Sequence, residues 1–334
     1  MSEKIVLIVS YQQDVHTQHV LQKLEDCGVK SILLNVGEYP RSFESALLLN
    51  PQHGLDARFF TGATALPVNN IIGVWWRRPL GAYRAEPTTM MEKYIASEAE
   101  AYIRSLPYML GGARWVSNPE ATRIASRKPY QLLVAQRIGL RIPNTFVGNS
   151  RSTAIAFLEQ MKDKNIVAKF VCSGFVRLNQ AANDREDLNR VIYTKRISRM
   201  SIMDHLDWVP NCPFILQEEI EKDFDVRVTV VGNKVFAVAV IAEADDGRMR
   251  GVDWRHHEYR RKYRHHILPN EVTELCRKVT MELGLSFGCI DLGYSVKEGY
   301  TFFEINPQGQ WLPSETVVGH PISDALVELL LSVK

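Results

Sequence analysis

Apolar positions recur along this chain with two periods, and the alternation between them predicts its elements. Lys4–Ser10, Ser31–Val36 and Ile71–Trp76 are short runs rich in Ile, Val and Leu and read as strands. Thr17–Cys27 places Val20, Leu21 and Leu24 on one face and is followed by Gly28 as a stop signal, which predicts a helix. Met90–Leu106 predicts a longer one. Strands alternating with helices predict an α/β unit over the first third of the chain. A boundary is expected near Gly111-Gly112, ahead of Trp115-Val116-Ser117-Asn118-Pro119. Beyond it come a basic helix over Glu120–Ile138 closed by Gly139, an extended segment Arg141–Val147, a helix Ser152–Lys162 and a strand Asn165–Phe170. Cys172-Ser173-Gly174-Phe175 reads as a short break. Phe214–Ile220 and Asp225–Val231 read as strands, and Gly232-Asn233 turns the second into Lys234–Ala242 as a hairpin.

A last pair of apolar runs, Gly288–Val296 and Tyr300–Asn306, flanks Lys297-Glu298-Gly299 and predicts another hairpin. The midpoints between Asp291 and Glu304 and between Asp291 and Asn306 both fall in its turn, so Asp291 is expected across the ladder from Glu304 and Asn306. Residues two apart share a face. One sheet face would then carry two carboxylates and an amide oxygen. Like charges packed together repel unless a cation or protons offset them. An all-oxygen donor set of this kind suits a hard cation such as Mg2+, which leaves positions open for water and phosphate. The plainer reading is the polar face of an ordinary hairpin.

The chain has 334 residues, 46% of them hydrophobic and 23% charged, as expected for a soluble globular protein of two or three packed units. Its net charge of +2 gives no global argument for nucleic-acid binding. No apolar segment approaches the roughly 20 residues that span a bilayer. The N-terminal apolar run, Ile5–Val9, is too short for a signal peptide. The cysteines, Cys27, Cys172, Cys212, Cys276 and Cys289, are odd in number and form no CxxC, which points to free thiols in a reducing cytosol and so to a cytoplasmic protein.

Several charged motifs carry two readings each. The stretch after the first strand, SYQQDVHTQ, lacks a glycine-rich dinucleotide fingerprint and argues against a Rossmann oxidoreductase. Trp75-Trp76-Arg77-Arg78-Pro79 is either a core Trp with solvated arginines or a pair of guanidiniums at the carboxyl end of a strand, where open α/β sheets bind ligands. Lys128 and Lys169 are solvated charges or phosphate clamps. Gln217-Glu218-Glu219-Ile220-Glu221 is a charged edge or a connector whose main chain reads a purine edge while a carboxylate accepts from ribose. Arg248–His266 holds Arg248, Arg250, Arg255, Arg260, Arg261, Lys262 and Arg264 with His256, His257, His265 and His266, and reads as an exposed loop. A zinc site from its histidine pairs lacks ordered ligand spacing. A nucleic-acid patch lacks interleaved aromatics beyond Trp254, Tyr259 and Tyr263. A mobile cationic cover over a polyanion fits better, with Arg227 and Arg255 stabilising developing negative charge.

In this order the motifs resemble the ATP-grasp carboxylate–amine ligases: a basic helix ending in Gly-Leu-Arg-Ile-Pro, a strand Lys, a QEEI connector, Asp225-Val226-Arg227 and Asp291…Glu304-Ile305-Asn306-Pro307. That resemblance covers about residues 116–320. More narrowly, VWWRRP, VDWR at Val252–Arg255 and EINPQGQW at Glu304–Trp311 resemble the graspetide (microviridin-type, MvdC/MvdD-like) ribosomal peptide maturases, and residues 1–115 resemble that family's N-terminal region. The resemblance implies an ATP-grasp fold of α+β subdomains behind a pre-ATP-grasp α/β domain, divided as 1–115, 116–215 and 216–334. It implies ATP and Mg2+ as cofactors. Lys128 and Lys169 would meet the phosphates, Gln217, Glu218 and Ile220 the adenine, Glu221 or Asp225 the ribose, and Asp291, Glu304 and Asn306 the metal. Arg227, Arg255 and Asn306 would be catalytic, and Arg77, Arg78, Asp253 and Arg255 would contact the substrate. The implied reaction activates Asp or Glu side chains of a ribosomal precursor peptide, leader plus core, as acyl phosphates and joins them to Ser/Thr hydroxyls or Lys amines. The implied partner is that peptide and neither nucleic acid nor membrane; the oligomeric state, homodimer included, stays open. The phosphate loop after Lys169, usually glycine-rich, departs from the pattern with only Gly174. Ser198–Asn211 is the segment expected to dock the precursor. Two other readings remain: an intermolecular ligase that adds an amino acid to a peptide or protein, and a non-catalytic nucleotide-binding module.

Overall fold

The computed structural model describes residues 4–51, 54–61, 64–79, 87–172, 175–177, 189–191, 194–244, 252–255 and 259–332. The chain opens with β1 (Ile5–Val9), α1 (Val15–Asp26) and β2 (Lys30–Leu34). β3 (Glu44–Asn50), β4 (Gly54–Thr61) and β5 (Thr64–Pro67) then form an antiparallel three-stranded sheet that the pattern reading does not assign. β6 (Ile71–Trp76), α2 (Met90–Met109) and β7 (Arg114–Val116) complete a parallel sheet in the order β2-β1-β6-β7. β1 is buried along its whole length, as a parallel strand covered on both faces should be.

α3 (Pro119–Ala125) and α4 (Lys128–Arg137) replace the single basic helix expected over Glu120–Ile138. Pro129 is the cause: in a helix interior it lacks the amide donor and clashes with the preceding turn, but in a first turn it is tolerated. Lys128 therefore stands at a helix start. The second region continues with β8 (Thr145–Gly148), α5 (Arg151–Gln160), β9 (Ile166–Lys169), the paired short strands β10 (Phe175–Arg177) and β11 (Asn189–Val191), β12 (Lys195–Ile197), α6 (Arg199–Asp204) and β13 (Phe214–Glu218). Its antiparallel sheet runs β12-β9-β13-β8, with α5 packed on one face through Phe146, Phe157, Leu158 and Leu216.

The third region holds β14 (Phe224–Val231), β15 (Lys234–Ala244), β16 (Tyr259–His265), α7 (Asn270–Glu282), β17 (Phe287–Ser295), β18 (Gly299–Asn306), α8 (Leu312–Val318) and α9 (Ile322–Leu331). Its antiparallel sheet runs β16-β15-β14-β17-β18. One face packs against α4 and α7 through Val226, Val228, Ile290, Leu292, Phe302 and Ile305. The basic stretch was expected to be a loop; among its described residues 252–255 lie outside any strand, but Tyr259–His265 form the edge strand β16, paired with β15 from Val238↔His265 to Ala244↔Tyr259. A row of charged side chains is a common way to keep a sheet edge from pairing further. His265 packs against the His320 ring, whereas His266 packs against Phe224, Tyr294 and Tyr300, so the two imidazoles leave the strand on opposite faces. Arg248, Arg250, His256 and His257 of that stretch, and Gly174 of the phosphate loop, lie outside the described residues.

One hydrophobic cluster crosses from the first region to the third. It joins Val6, Ile8, Val20, Leu24 and Trp75 to Phe287, Cys289, Trp311 and the buried face of α9. Among the described residues no helix is long and apolar enough to cross a membrane. All five cysteines are free; Cys276 and Cys289 are buried.

Candidate active site

The site grows from the face of the five-stranded sheet that α4 and α7 leave open. Asp225 and Arg227 on β14 share this face with Asp291 on β17, and the ladder sets Arg227 opposite Asp291. Across β17 and β18 the register is regular from Ser295↔Gly299 to Leu292↔Phe302, then slips so that Asp291 faces Glu304. The slipped residue is Phe303, a β-bulge. Bulges re-aim side chains beside functional sites. Here Phe303 and Glu304, consecutive in sequence, both face the site: the Phe303 ring lies where a Cβ on Gly293 would come within 2.6 Å of it. The Lys169 and Lys222 ammonium groups each sit 5.3 Å from the centre of that ring. Strict alternation along β18 hides Phe303 from a sequence reading.

The carboxylates do not meet as bare charges. Arg227 Nη1 donates to Asp291 Oδ1 at 2.9 Å. Arg255 Nη1 donates to Glu304 Oε1 at 2.5 Å, and Lys128 Nζ is 3.8 Å from Glu304 Oε2. Burial alone would raise the Glu304 carboxyl, but Arg255, Lys128 and Lys169 outweigh it and hold it below the ordinary range. Asp253 grips Arg255 from behind. Its Oδ1 accepts from the Arg255 amide and Nε at 3.1 and 2.8 Å, and its Oδ2 accepts from Nη2 at 2.8 Å. Asp253 is buried and, despite the desolvation that burial brings, this pairing keeps its carboxyl down at about 2. The geometry makes Asp253 the orienting partner of Arg255 and turns the Arg255 head toward Glu304. Gln131 couples α4 to β18: its Nε2 donates to the Ala125 and Ile305 carbonyls at 2.6 and 2.8 Å, and its Oε1 accepts from the Ile305 amide at 3.1 Å. This fixes the start of α4, with Lys128, beside Glu304.

Two cavities meet here, and Lys169, Thr194, Trp254, Arg255 and Glu304 line both. The inner one, about 450 Å³, lies between the two antiparallel sheets and is lined by Val167, Gln217, Glu218, Ile220, Glu221, Asp225, Phe303 and Asp291 among others. The outer one, about 550 Å³, is lined by Arg78, Lys128, Arg227, Arg261, Tyr263, Asn306 and Gln310 as well. Both fall in the size range of small-molecule sites.

The sequence-predicted residues divide as follows. Lys169, Gln217, Glu218, Ile220, Glu221, Asp225, Asp291 and Glu304 line the inner cavity; Lys128, Arg78, Arg227 and Asn306 line the outer. Glu218 is already committed: Asn144 and Lys164 hold its carboxylate at 2.7 and 3.0 Å, and its amide donates to Asn144 O. The Glu219 amide donates to Asn165 O, and Ile220 lines the inner cavity. Lys222 holds Asp225 at 2.6 Å. Burial pushes the Asp225 carboxyl up to about 6 in spite of that lysine. Arg77 is not brought into either lining. It is 1% exposed, and its Nη1 donates to the carbonyls of Gln308 and Gly309 at 2.6 and 2.8 Å. Arg78, one residue on, carries a positive φ of 43°, an uncommon conformation for a non-glycine residue that recurs at ligand sites.

Whether these residues suit a nucleotide and a divalent cation can be asked of their chemistry. Gln217 lines the inner cavity, and its side-chain oxygen is buried with no hydrogen-bond partner among the described residues. Lys169 and Lys128 stand beside Glu304, on the side a polyphosphate would occupy. Asp291, Glu304 and Asn306 supply oxygens only, the donor type a hard cation takes. Among the described residues no three His, Cys, Asp or Glu side chains converge on a common point, so such a cation would need oxygens from the phosphates as well. The donor set fits on those terms.

Comparison with known proteins agrees with this architecture. The family described as the MvdD pre-ATP grasp domain matches residues 5–123, and the RimK-like ATP-grasp domain matches residues 125–330. No curated protein sequence matches the chain. Among solved structures, the macrocyclase MdnC of Microcystis aeruginosa MRC, bound with precursor peptide MdnA, is similar at 24% identity with a TM-score of 0.81, over 98% of this chain and 99% of that one. A RiPP-associated ATP-grasp ligase of Chryseobacterium gregarium, in complex with ADP and a leader and core peptide, is similar at 22% identity and a TM-score of 0.82, over 98% and 96%. The macrocyclase MdnB of Microcystis aeruginosa MRC is similar at 23% identity and a TM-score of 0.77, over 98% and 99%. At these identities the likeness is one of fold; the family rests on the matched domains. With its second and third regions spanned by the RimK-like ATP-grasp domain behind an MvdD-type pre-ATP-grasp domain, the chain belongs to the RimK-like ATP-grasp family.

Proposed function

We propose that this chain is an ATP-dependent peptide macrocyclase that joins Asp or Glu side chains of a ribosomally made precursor to Ser/Thr hydroxyls or Lys amines of the same peptide. The observation that carries the reading is the meeting of the two cavities at Glu304. The inner one has a nucleotide's mixture of apolar walls and polar ends. The outer one, among the described residues, surrounds one carboxylate, Glu304, with Arg78, Lys128, Lys169, Arg227, Arg255 and Arg261, a lining that attracts acidic side chains. The full-length fold likeness to ligases solved with leader and core peptides supports it.

In this reading Gln217 and Ile220 receive the adenine, Glu221 the ribose, Lys128 and Lys169 the phosphates, and Asp291, Glu304 and Asn306 hold Mg2+. Bound Mg–ATP would supply the phosphoryl group that turns a substrate carboxylate into an acyl phosphate. The chain's own residues do the rest. Arg227, braced between Asp291 and Gln310 O, and Arg255, oriented by Asp253, present fixed guanidiniums to charge that develops during transfer. Arg78 and Arg261 keep the acidic peptide at the mouth, and Ser198–Asn211, with Met200, Met203 and Trp208 exposed, offers the leader a docking edge. The three-part division at 115/116 and 215/216 accompanies this reading.

The test is phosphate release from ATP and Mg2+ by the purified protein, with and without the peptide encoded beside its gene, followed by intact mass. Peptide-dependent release with loss of one water mass per bond, abolished in Glu304→Ala, is the expected result. Release with a gain of residue mass would move the assignment to an intermolecular ligase. Nucleotide binding without release would leave a binding module.

A further inference from the structure

Five residues connect Asn306 at the end of β18 to α8, and the N-terminal region holds four of their polar groups: the Gln308 and Gly309 carbonyls, the Gln308 side-chain amide and the Trp311 amide. Arg77 Nη1 takes the carbonyls of Gln308 and Gly309 at 2.6 and 2.8 Å, and Arg78 Nε adds a second bond to Gln308 O at 3.0 Å. Gln308 Nε2 donates to Trp76 O at 3.3 Å. His16, on α1, accepts at Nε2 from the Trp311 amide at 3.1 Å and stands 3.4 Å from the Leu312 amide. The His16 ring meets the Trp311 indole edge-on at 4.6 Å, and the Arg77 guanidinium lies 5.2 Å from that indole. On the site side, Gln308 N donates to Asn306 Oδ1 at 2.9 Å, and Arg227 Nη2 donates to Gln310 O at 3.3 Å.

The chemistry of this grip is specific. A ring nitrogen that accepts from an amide is unprotonated, so the His16 proton sits on Nδ1, which lies 3.8 Å from Asp14 Oδ1. Burial, with Arg77 alongside, drives the His16 imidazole down to about 3, which keeps the accepting form at every physiological pH. Arg77 is 1% exposed; its Nε stands 3.5 Å from Asp14 Oδ2, and neither Nε nor Nη2 has a hydrogen-bond partner among the described residues. A buried, half-satisfied guanidinium is costly. Its two carbonyl bonds therefore matter for placement more than for net stability.

We infer that Arg77 and His16 are positioning residues for the ligase reaction. They fasten Gln308–Trp311 from outside the catalytic unit and so set where Asn306 and Arg227 stand. The inference rests on reading Asp291, Glu304 and Asn306 as the cation site. It assigns the pre-ATP-grasp domain a part in the chemistry, as well as a part in the fold.

The test uses the full chain and four variants, Arg77→Met, Arg77→Lys, His16→Phe and His16→Gln. Two readouts need no turnover: Mn2+ binding in the presence of ATP, followed by paramagnetic resonance, and amide exchange across 306–312. Arg77→Met and His16→Phe are expected to weaken Mn2+ binding about tenfold while leaving nucleotide affinity within a factor of about two, and to speed exchange at Trp311. His16→Gln, which keeps an acceptor, should recover most of the Mn2+ affinity. Peptide-dependent phosphate release should fall in kcat with little change in KM for ATP. Wild-type protein that binds Mn–ATP, beside variants that bind it equally and exchange equally, would overturn the inference. So would variants that lose melting temperature and nothing else. Wild-type protein that binds no Mn–ATP would instead overturn the metal-site reading beneath it.

Discussion

Replacing Gly309 by alanine should disable the site from a position that bears no chemistry. A Cβ built there lies 2.3 Å from Cys289 Cβ, 2.6 Å from Cys289 Sγ and 2.7 Å from Arg227 Nη2. Carbon atoms in contact sit about 3.5–4.0 Å apart, so something must move by roughly 1 Å. Cys289 cannot retreat: it is fully buried in β17, with Thr229 on one neighbouring strand and Asn306 on the other as its ladder partners. The Gln308–Trp311 segment must lift instead, and with it the Gln310 carbonyl that braces Arg227. Overpacking of this kind costs about 1–3 kcal/mol. A displacement of ~1 Å near reacting groups costs on the order of 100-fold in rate. Scanning melting and peptide-dependent phosphate release would read the two effects separately. Cys289→Gly in the same chain removes both cysteine contacts and leaves the one to Arg227, so it should restore more stability than kcat. A Gly309→Ala protein with unchanged melting and kcat, or one insensitive to Cys289→Gly, would show that the segment is not packed as described.

Further outcomes follow from the same geometry. Burial draws the Lys169 ammonium down to about 8, with Lys128 and Arg255 adding to the effect and Glu304 opposing it. Nucleotide phosphates would restore its charge, so binding near pH ~8.5 should take up protons, measurable by calorimetry in buffers of different ionisation heat and absent in Lys169→Gln. The folded value lies below the free-lysine value, so the unfolded chain holds the extra proton between about 8 and 10.5, and this residue's contribution to stability rises with pH across that window. Asp225 is the opposite case: raised by burial to about 6, it retains a proton that the unfolded chain has lost above 3.8, so its contribution to stability falls as pH rises through that interval, and Asp225→Asn should flatten the profile in denaturant titrations. Arg227→Lys keeps a charge but cannot reach Asp291 and Gln310 O together; kcat should drop on the order of 10²–10³-fold with nucleotide affinity nearly unchanged, and single-turnover phosphate release would check it.

Much of the fold was legible because its signals are local. The break Lys297-Glu298-Gly299 marks the β17–β18 hairpin, though the Phe303 bulge is what brings Asp291 opposite Glu304, and Gly232-Asn233 marks the hairpin of β14 and β15. Pro129 is an equally local signal, and it divides the expected helix into α3 and α4. The three-stranded sheet β3–β5 carries turn signals of its own, Asn50-Pro51 and Thr61-Gly62, but the runs between them mix apolar and polar residues without a clean period. In the site, residue types were readable but orientation was not. Arg77 and Arg78 follow the end of β6, where strand alternation no longer applies, and both donate to the Gln308 carbonyl. Only tertiary packing decides that Arg77 goes inward and Arg78 toward the cavity. His16 sits in SYQQDVHTQ, a stretch with no motif of its own. Its role depends on an amide some 300 residues away, which no spacing rule reaches.

The bulge at Phe303 is, in effect, a one-residue insertion whose removal the fold already anticipates. Without that residue the β17–β18 ladder would continue in its undisturbed register, and the glutamate would still land opposite Asp291, Ile305 on the core face and Asn306 on the open one. Deleting Phe303 would thus subtract an aromatic wall and its two ammonium contacts while sparing every carboxylate. Nearly all other single changes here disturb several groups at once. A deletion protein that keeps Mn2+ binding but loosens its hold on nucleotide would separate the base-side wall from the metal side by subtraction alone.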